Sequence, residues 1–473
     1  MRYSPVFEPY DHQREALEAL AGREAFALFM SQRTGKTKVI IDEWGQAVCS
    51  GDMDALLVVA PGGAYRIWED EIEKHLPAEI PRTVRVWVSR TCNEEVTKIV
   101  DCPGPKILIV NVEALSTIQA VVNLCRLFLQ SNRATMVVDE STTIKGPTSI
   151  RTRVTCTLGP WAKRRRILSG LPDPQSPLDY YAQMWFLDPK ILGFSSYEAF
   201  TDRHAVRKTI PVGKRRISIT VGYQNIEEIK IKISKHMFRR TLKDCYDLPP
   251  KIYSRRDVDL TDEQKRIYLD LKTRAMSELE SGDYVSASLV IVQMLRLHQV
   301  CCGHVKDENN VIHSIPSNKI KVLLELLEEY DGKAVVWCSY AHDLAVVAAA
   351  LRKRYGDDSV STFWGGNVST REDESRQFQE EPSRRWMVAT PGAGGRGRTW
   401  PMANMMVYYS NTDNLEHREQ SEERGSIVGK TEPVVVVDLI ARGTVEEKIV
   451  RSLQSKIDMS TAILGGEWKK WIE

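Results

Sequence analysis

No run of about 18 apolar residues occurs anywhere in the chain, which removes a membrane-spanning helix from consideration. The first six residues, Met1 to Val6, contain no apolar segment of the kind a secretory signal needs, so a soluble, cytoplasmic protein is expected. Nine cysteines are present, including the adjacent Cys301 and Cys302, yet none stands in a C-x-x-C pair. That excludes an obvious zinc ribbon or a small disulfide framework, and the thiols read as reduced and mostly buried. Excess charge is lacking too: 65 basic residues stand against 63 acidic ones, so a nucleic-acid site, if there is one, must be local. Nor does any sequence repeat relate the two halves of the chain.

What is present is length and rhythm. At 473 residues the chain exceeds what a single core usually serves, so two or three domains are expected. Apolar strand-like runs recur between helical patterns: 25–29, 56–59, 107–110, 136–138 and 167–168, then 334–337, 386–389, 405–408 and 434–437. Runs that are apolar on both faces predict parallel sheets covered by helices.

Between the first such run and a helical pattern stands Met30-Ser31-Gln32-Arg33-Thr34-Gly35-Lys36-Thr37. Strand, loop and helix is the context of a phosphate-binding loop. Its backbone N–H groups would cradle phosphate, Thr34, Gly35 and Lys36 would line it, and the Thr37 hydroxyl would hold Mg²⁺. Met30 occupies the place of the usual first glycine. Upstream, Gln13 opens a helix; its amide offers the donor and acceptor that an adenine edge requires, and the alternative reading is a surface glutamine. The run 136–138 ends in Asp139-Glu140. An aspartate there suits a metal, and the next glutamate can orient or deprotonate an attacking water.

The stretch Asp139 to Ser149 resembles the D-E-A-H-x-x-K-N-x-x-S segment of Swi/Snf-type ATPases, a branch of the superfamily 2 helicases, and the resemblance continues along almost the whole chain. Leu168-Ser169-Gly170-Leu171-Pro172 is similar to the family's L-T-G-T-P. Residues 222–228 and 238–241 resemble the linker of the annealing-helicase subgroup. Thr390 to Gly397 is similar to A-x-x-A-G-G-x-G, and 420–430 to Q-A-x-D-R-A-H-R-I-G-Q. The resemblance implies two RecA-like α/β lobes with helical and hairpin insertions, a DNA-dependent ATPase using ATP and Mg²⁺, and a monomeric motor on double-stranded DNA, with no membrane partner. The compact form suits a bacterial or phage protein.

Residue by residue, it implies Lys36, Asp139, Glu140 and Arg424 as catalytic groups, Gln13 and Gln420 as nucleotide contacts, and Thr37 with Asp139 at the metal. It puts Pro61, Trp68, Lys145, Thr390, Gly394 and Gly395 on DNA. The acid-free tract 203–216 adds Arg207, Lys208, Lys214 and Arg215 as phosphate contacts, the alternative being a solvated loop. The expected division is a first lobe at 1–245 with a basic insertion at about 190–235, a linker and helical insertion at 246–305, a second lobe at 306–455 and a tail at 456–473. One departure matters most: the family's second arginine position is Ile427, with Arg396 and Arg398 as candidates to compensate beside Arg424. A slow-turnover DNA clamp is therefore the alternative of a different class, and an RNA helicase the third reading.

Overall fold

The computed structural model describes residues 2–454 apart from 63, 89–93, 171, 173–175, 213–214, 248, 282–286, 308, 310, 395–398, 413 and 426–429. The chain divides into two units, one formed by 1–204 and 223–247, the other by 205–222 and 248–473. The boundary falls beside Pro249-Pro250, where paired prolines favour extended chain. The segment 246–305, expected as linker and helical insertion, falls almost wholly in the second unit, whereas the basic insertion expected at about 190–235 is divided, with 205–222 in the second unit and its flanks in the first.

The first unit is built on strands β1 Ala25–Met30, β2 Ala55–Ala60, β3 Thr83–Val86, β4 Lys106–Asn111, β5 Ala134–Val138 and β6 Arg164–Leu168. A hairpin follows, β7 Ala205–Val212 with β8 Arg215–Tyr223, and then β9 Met237–Arg240. All strands except the hairpin join one sheet in the order β3-β4-β2-β5-β6-β1-β9, every neighbouring pair parallel. The inner strand β2 is buried along its whole length, as a strand covered on both faces must be. Helices α1 Asp11–Leu20, α2 Lys36–Cys49 and α3 Ile67–His75 pack on this sheet, burying Val39, Ile40, Trp44, Trp68 and Ile72. The N-terminal segment is strapped to α2: the Tyr3 hydroxyl donates to Asp42 at 2.5 Å, and its ring lies where a side chain at Gly45 would stand.

The second unit repeats the plan. Strand β10 Ile252–Val258 precedes a small antiparallel pair, β11 His304–Lys306 and β12 Ile312–Ser314, and then come β13 Lys333–Trp337, β14 Val360–Phe363, β15 Trp386–Ala389, β16 Ala403–Tyr408 and β17 Val435–Ala441. Its sheet runs β10-β17-β16-β13-β15-β14, again parallel throughout. The helices Asp262–Ser281 and Ala287–Cys302 lie within 246–305, the segment expected as linker and helical insertion. Two all-parallel sheets covered by helices are the α/β architecture expected. Of the described cysteines, Cys125, Cys301, Cys302 and Cys338 are buried, the other four are half-buried, and all are free. No helix among the described residues is long and apolar enough to cross a membrane.

Candidate active site

In a parallel sheet, ligands gather outside the carboxyl ends of the strands. Strands β1 and β5 flank β6, so with neighbouring strands about 4.8 Å apart their ends stand about 10 Å from each other. The loop after β1 carries Lys36 and Thr37; the turn after β5 carries Asp139 and Glu140.

Met30 explains its own departure from the loop pattern. It is the last residue of β1, fully buried in the core beneath the sheet, so the loop proper begins only at Ser31. Gly35 then caps α2 in the left-handed region, with φ 82° and ψ 32°. A Cβ there would stand 2.2 Å from Gln13 Nε2 as well as occupying a backbone region that side chains avoid. The Lys36 ammonium donates to the carbonyls of Met30 at 2.8 Å and Ser31 at 3.2 Å, which folds the lysine into its own loop. Thr37 is half-buried in the first turn of α2. Thr34 is buried, its hydroxyl donating to Ser31 O at 2.8 Å.

Gln13 departs from its expected role. Its side chain is 3% exposed and both ends of its amide are in use. The oxygen accepts the Tyr10 N–H at 3.1 Å, and the nitrogen donates to Thr34 O at 3.1 Å. Gln13 thus braces the phosphate loop, its amide keeping one N–H and one lone pair beyond these two bonds. His12 Nε2, 2.9 Å from the same carbonyl, is a second brace that sequence reasoning did not find.

Burial pushes the Asp139 carboxyl above the ordinary aspartate range, opposed by a hydrogen bond from Trp68, the Lys36 charge and the Glu140 N–H. Trp68 requires a correction. Assigned by resemblance to a DNA-facing segment, it is 1% exposed, and its indole N–H donates to Asp139 Oδ2 at 2.9 Å. It orients the carboxylate and has no free face to offer DNA. Glu140 sits in the left-handed region at φ 45° and ψ 62°, rare for a residue with a side chain and concentrated at functional sites.

The remaining DNA candidates of this unit are spread. Pro61 is buried, its carbonyl closing the turn into α3 by accepting Ala64 N–H at 2.8 Å, so it too is corrected from surface contact to turn. Lys145, half-buried, stands 3.8 Å from Asp179, which is buried.

In the second unit, Arg207 is exposed on β7. Lys208 and Arg215 lie on β7 and β8 with side chains outside the described residues, and Lys214 lies outside altogether. Thr390 follows β15 and donates its N–H to Phe363 O at 3.1 Å; Gly394 ends the short helix Pro391–Gly394. Gly395, Arg396, Arg398 and Ile427 lie outside the described residues. Gln420, 7% exposed, donates to Glu416 at 3.1 Å from the helix Leu415–Glu422. Arg424 is 2% exposed, and its carbonyl accepts the Trp400 N–H at 2.8 Å.

That helix is held by Arg418, which the sequence reading missed. Its guanidinium lies 3.5 Å from the Tyr408 ring centre and pairs with Asp438 at 2.6 Å and Glu422 at 2.7 Å. The spacing of Arg418 and Glu422, four apart on one helix, is the one signal that could have found it. Glu422 also accepts from Tyr253 at 2.8 Å, tying the helix to β10.

The SNF2-related domain model matches residues 20–306. The chain is 25% identical to the Mus musculus DNA annealing helicase and endonuclease ZRANB3 over 418 residues, covering 88% of this chain and 37% of that protein. It is 24% identical to the Saccharomyces cerevisiae TATA-binding protein-associated factor MOT1 over 359 residues, 64% of this chain and 19% of that one. It therefore spans little more than a third of the length of the ZRANB3 relative. Among solved structures, the Sulfolobus solfataricus SWI2/SNF2 ATPase core in complex with dsDNA is similar at 22% identity and a TM-score of 0.42, covering 98% of this chain and 95% of that one. With more than half of its length matched by the family model, and with a phosphate loop and a half-buried Asp-Glu turn flanking one strand of a parallel sheet, the chain belongs to the SNF2-related family.

Proposed function

We propose that this chain is an ATP-dependent translocase on double-stranded DNA. The observation that carries the reading is the placement of Lys36 and Asp139 just after β1 and β5, on either side of β6 in one parallel sheet, in a member of this family. The donor set suits Mg²⁺, since the Asp139 carboxylate and Thr37 hydroxyl are hard oxygen ligands. When bound, the ion supplies charge neutralisation at the outer phosphates. Lys36 leaves its two loop carbonyls to meet phosphate, Glu140 orients the attacking water, and Trp68 keeps Asp139 turned toward the site.

The test is steady-state ATP turnover alone and with duplex DNA, single-stranded DNA or RNA. Stimulation by duplex DNA above the other two is expected, and its absence overturns the reading. Ile427 favours a second reading, a slow-turnover clamp, because losing a transition-state arginine can cost ~10³–10⁵-fold in rate. Nucleotide-dependent DNA binding without stimulated turnover selects that reading instead.

The phosphate loop gives a sharper prediction. Gly35→Ala, strained by both φ and the Gln13 contact, is expected to raise the KM for ATP at least about tenfold, as small misplacements in a reacting site do. ATPase titrations, with thermal unfolding as the control for folding, check this.

A further inference from the structure

Gln183 is a fully buried amide on the helix Tyr180–Leu187, 0% exposed. Its oxygen accepts the Ser141 hydroxyl at 2.6 Å, and its nitrogen donates to Pro172 O at 2.6 Å and to Asp179 O at 2.8 Å. The Asp179 bond lies four residues away on the helix's own first turn and could serve any glutamine there. The other two reach different segments. Ser141, itself 0% exposed, is the residue after Glu140. Pro172 belongs to the loop after β6, where Gly170 lies against the phosphate loop: a Cβ at Gly170 would stand 3.4 Å from Gln32 N. One side chain therefore bridges the carboxylate turn and the loop that touches the phosphate loop.

The bridge matters because of what stands between Asp139 and Ser141. Glu140 is held in the left-handed region, and a residue stays there only when its surroundings over-determine it. On its N-terminal side, Asp139 Oδ1 accepts the Glu140 N–H at 3.0 Å. On its C-terminal side, the Glu140 carbonyl accepts the Thr143 N–H at 2.9 Å, and the Ser141 hydroxyl is held by Gln183. Removing the Ser141–Gln183 bond takes one of the two restraints from that side of the strained residue while leaving Lys36, Thr37 and Asp139 in place.

We propose that Gln183, acting through Ser141, is a positioning residue that holds Glu140 in register with the phosphate loop; the proposal rests on the ATP-hydrolysing reading above. Its signature is a loss in kcat with little change in KM for ATP, because the phosphate-binding groups are untouched. Gln183→Leu and Ser141→Ala are each expected to lower kcat about tenfold or more, since a displacement of order 1 Å can cost about 10²-fold. KM should stay within about twofold, and because the two residues form one link, Ser141→Ala combined with Gln183→Leu should be no slower than Gln183→Leu alone.

The experiment measures kcat and KM for ATP with saturating duplex DNA on the full chain, for wild type, both single variants and the double, with thermal unfolding on each. Wild-type kcat in folded Ser141→Ala overturns the proposal, as does a raised KM at unchanged kcat, or losses that multiply in the double variant. If Gln183→Leu does not fold, Ser141→Ala, which deletes one buried oxygen, decides alone. A wild-type chain without turnover overturns the ATPase reading itself and this proposal with it, whereas an active wild type with unaffected variants overturns only the role of Gln183.

Discussion

Lys36→Ala is expected to lower ATP turnover about 10²–10³-fold, the range lost when one preorganised donor is removed from a site where charge develops. The ammonium has two duties here. It donates to the carbonyls of Met30 and Ser31, which it must leave when phosphate arrives, and its charge opposes the upward push of burial on Asp139. Without it, Asp139 moves still further above the ordinary aspartate range and becomes a poorer metal ligand at any given pH. The loss should therefore appear in nucleotide affinity as well as in rate. Glu140→Gln separates the two effects, because the amide keeps the shape but cannot take a proton: turnover should fall by a comparable factor while ATP binding persists. Steady-state turnover paired with equilibrium nucleotide binding checks both, and wild-type turnover in either variant contradicts the assignment.

In the second unit, Glu446→Ala is expected to remove about 3–5 kcal/mol of stability, as breaking a buried ion pair from one side does. Glu446 is 3% exposed and binds the ammonium of Lys319, which is itself fully buried and also donates to Tyr409 O at 2.9 Å. His298 Nε2 lies 3.2 Å from the same carboxylate, and the Ala441 N–H donates to it at 2.7 Å. His298, Cys302 and Glu446 place ligand atoms within 4.8 Å of one another, but the cation among them is already supplied by Lys319. Burial would raise the Glu446 carboxyl; Lys319, His298 and the Ala441 N–H outweigh it and hold the group at about 2.

A carboxyl depressed on folding stabilises fully above its unfolded value and loses that contribution as pH falls through the folded one. For Glu446 the window runs from 4.5 down to about 2. Wild type should lose stability across that window, and Glu446→Ala should show a flatter dependence there. Lys319→Met with Glu446→Leu, which replaces the pair by apolar groups, should recover most of the loss. Chemical denaturation of the single and double variants at neutral and acid pH measures all three.

The strands visible in the sequence are β1, β2, β4, β5 and β6 in the first sheet and β13, β15, β16 and β17 in the second, and every one is an inner strand. The four missed, β3, β9, β10 and β14, are the four edges. An inner strand is buried on both faces and reads as an unbroken apolar run, whereas Thr-Val-Arg-Val, Met-Phe-Arg-Arg and Ile-Tyr-Ser-Arg-Arg-Asp-Val obey no such demand. The same logic divides the site. Lys36 and Asp139 were legible because each closely follows an inner strand in a recognisable spacing. Trp68 on Asp139 and Gln183 on Ser141 were not, because those bonds join positions 71 and 42 apart, and neither side chain belongs to a pattern of its own. Gln13 was singled out for its chemistry, but the amide's partners are backbone groups that only the folded loop supplies.

The edge strands carry one more consequence. An unpaired row of N–H and C=O groups invites a strand from another molecule, and long parallel sheets expose such rows while they assemble. Here β9 presents Arg239-Arg240 and β10 presents Arg255-Arg256-Asp257, and Arg240, Arg255 and Arg256 are held in ion pairs that a docking strand would have to desolvate. Strand β14, Val-Ser-Thr-Phe, has no charge of its own. Glu374, from the helix Arg371–Glu380, accepts the Thr362 N–H at 2.5 Å and its hydroxyl at 3.0 Å. A carboxylate thus occupies a ladder position that a foreign backbone carbonyl would otherwise take, and self-association through that edge would have to displace it.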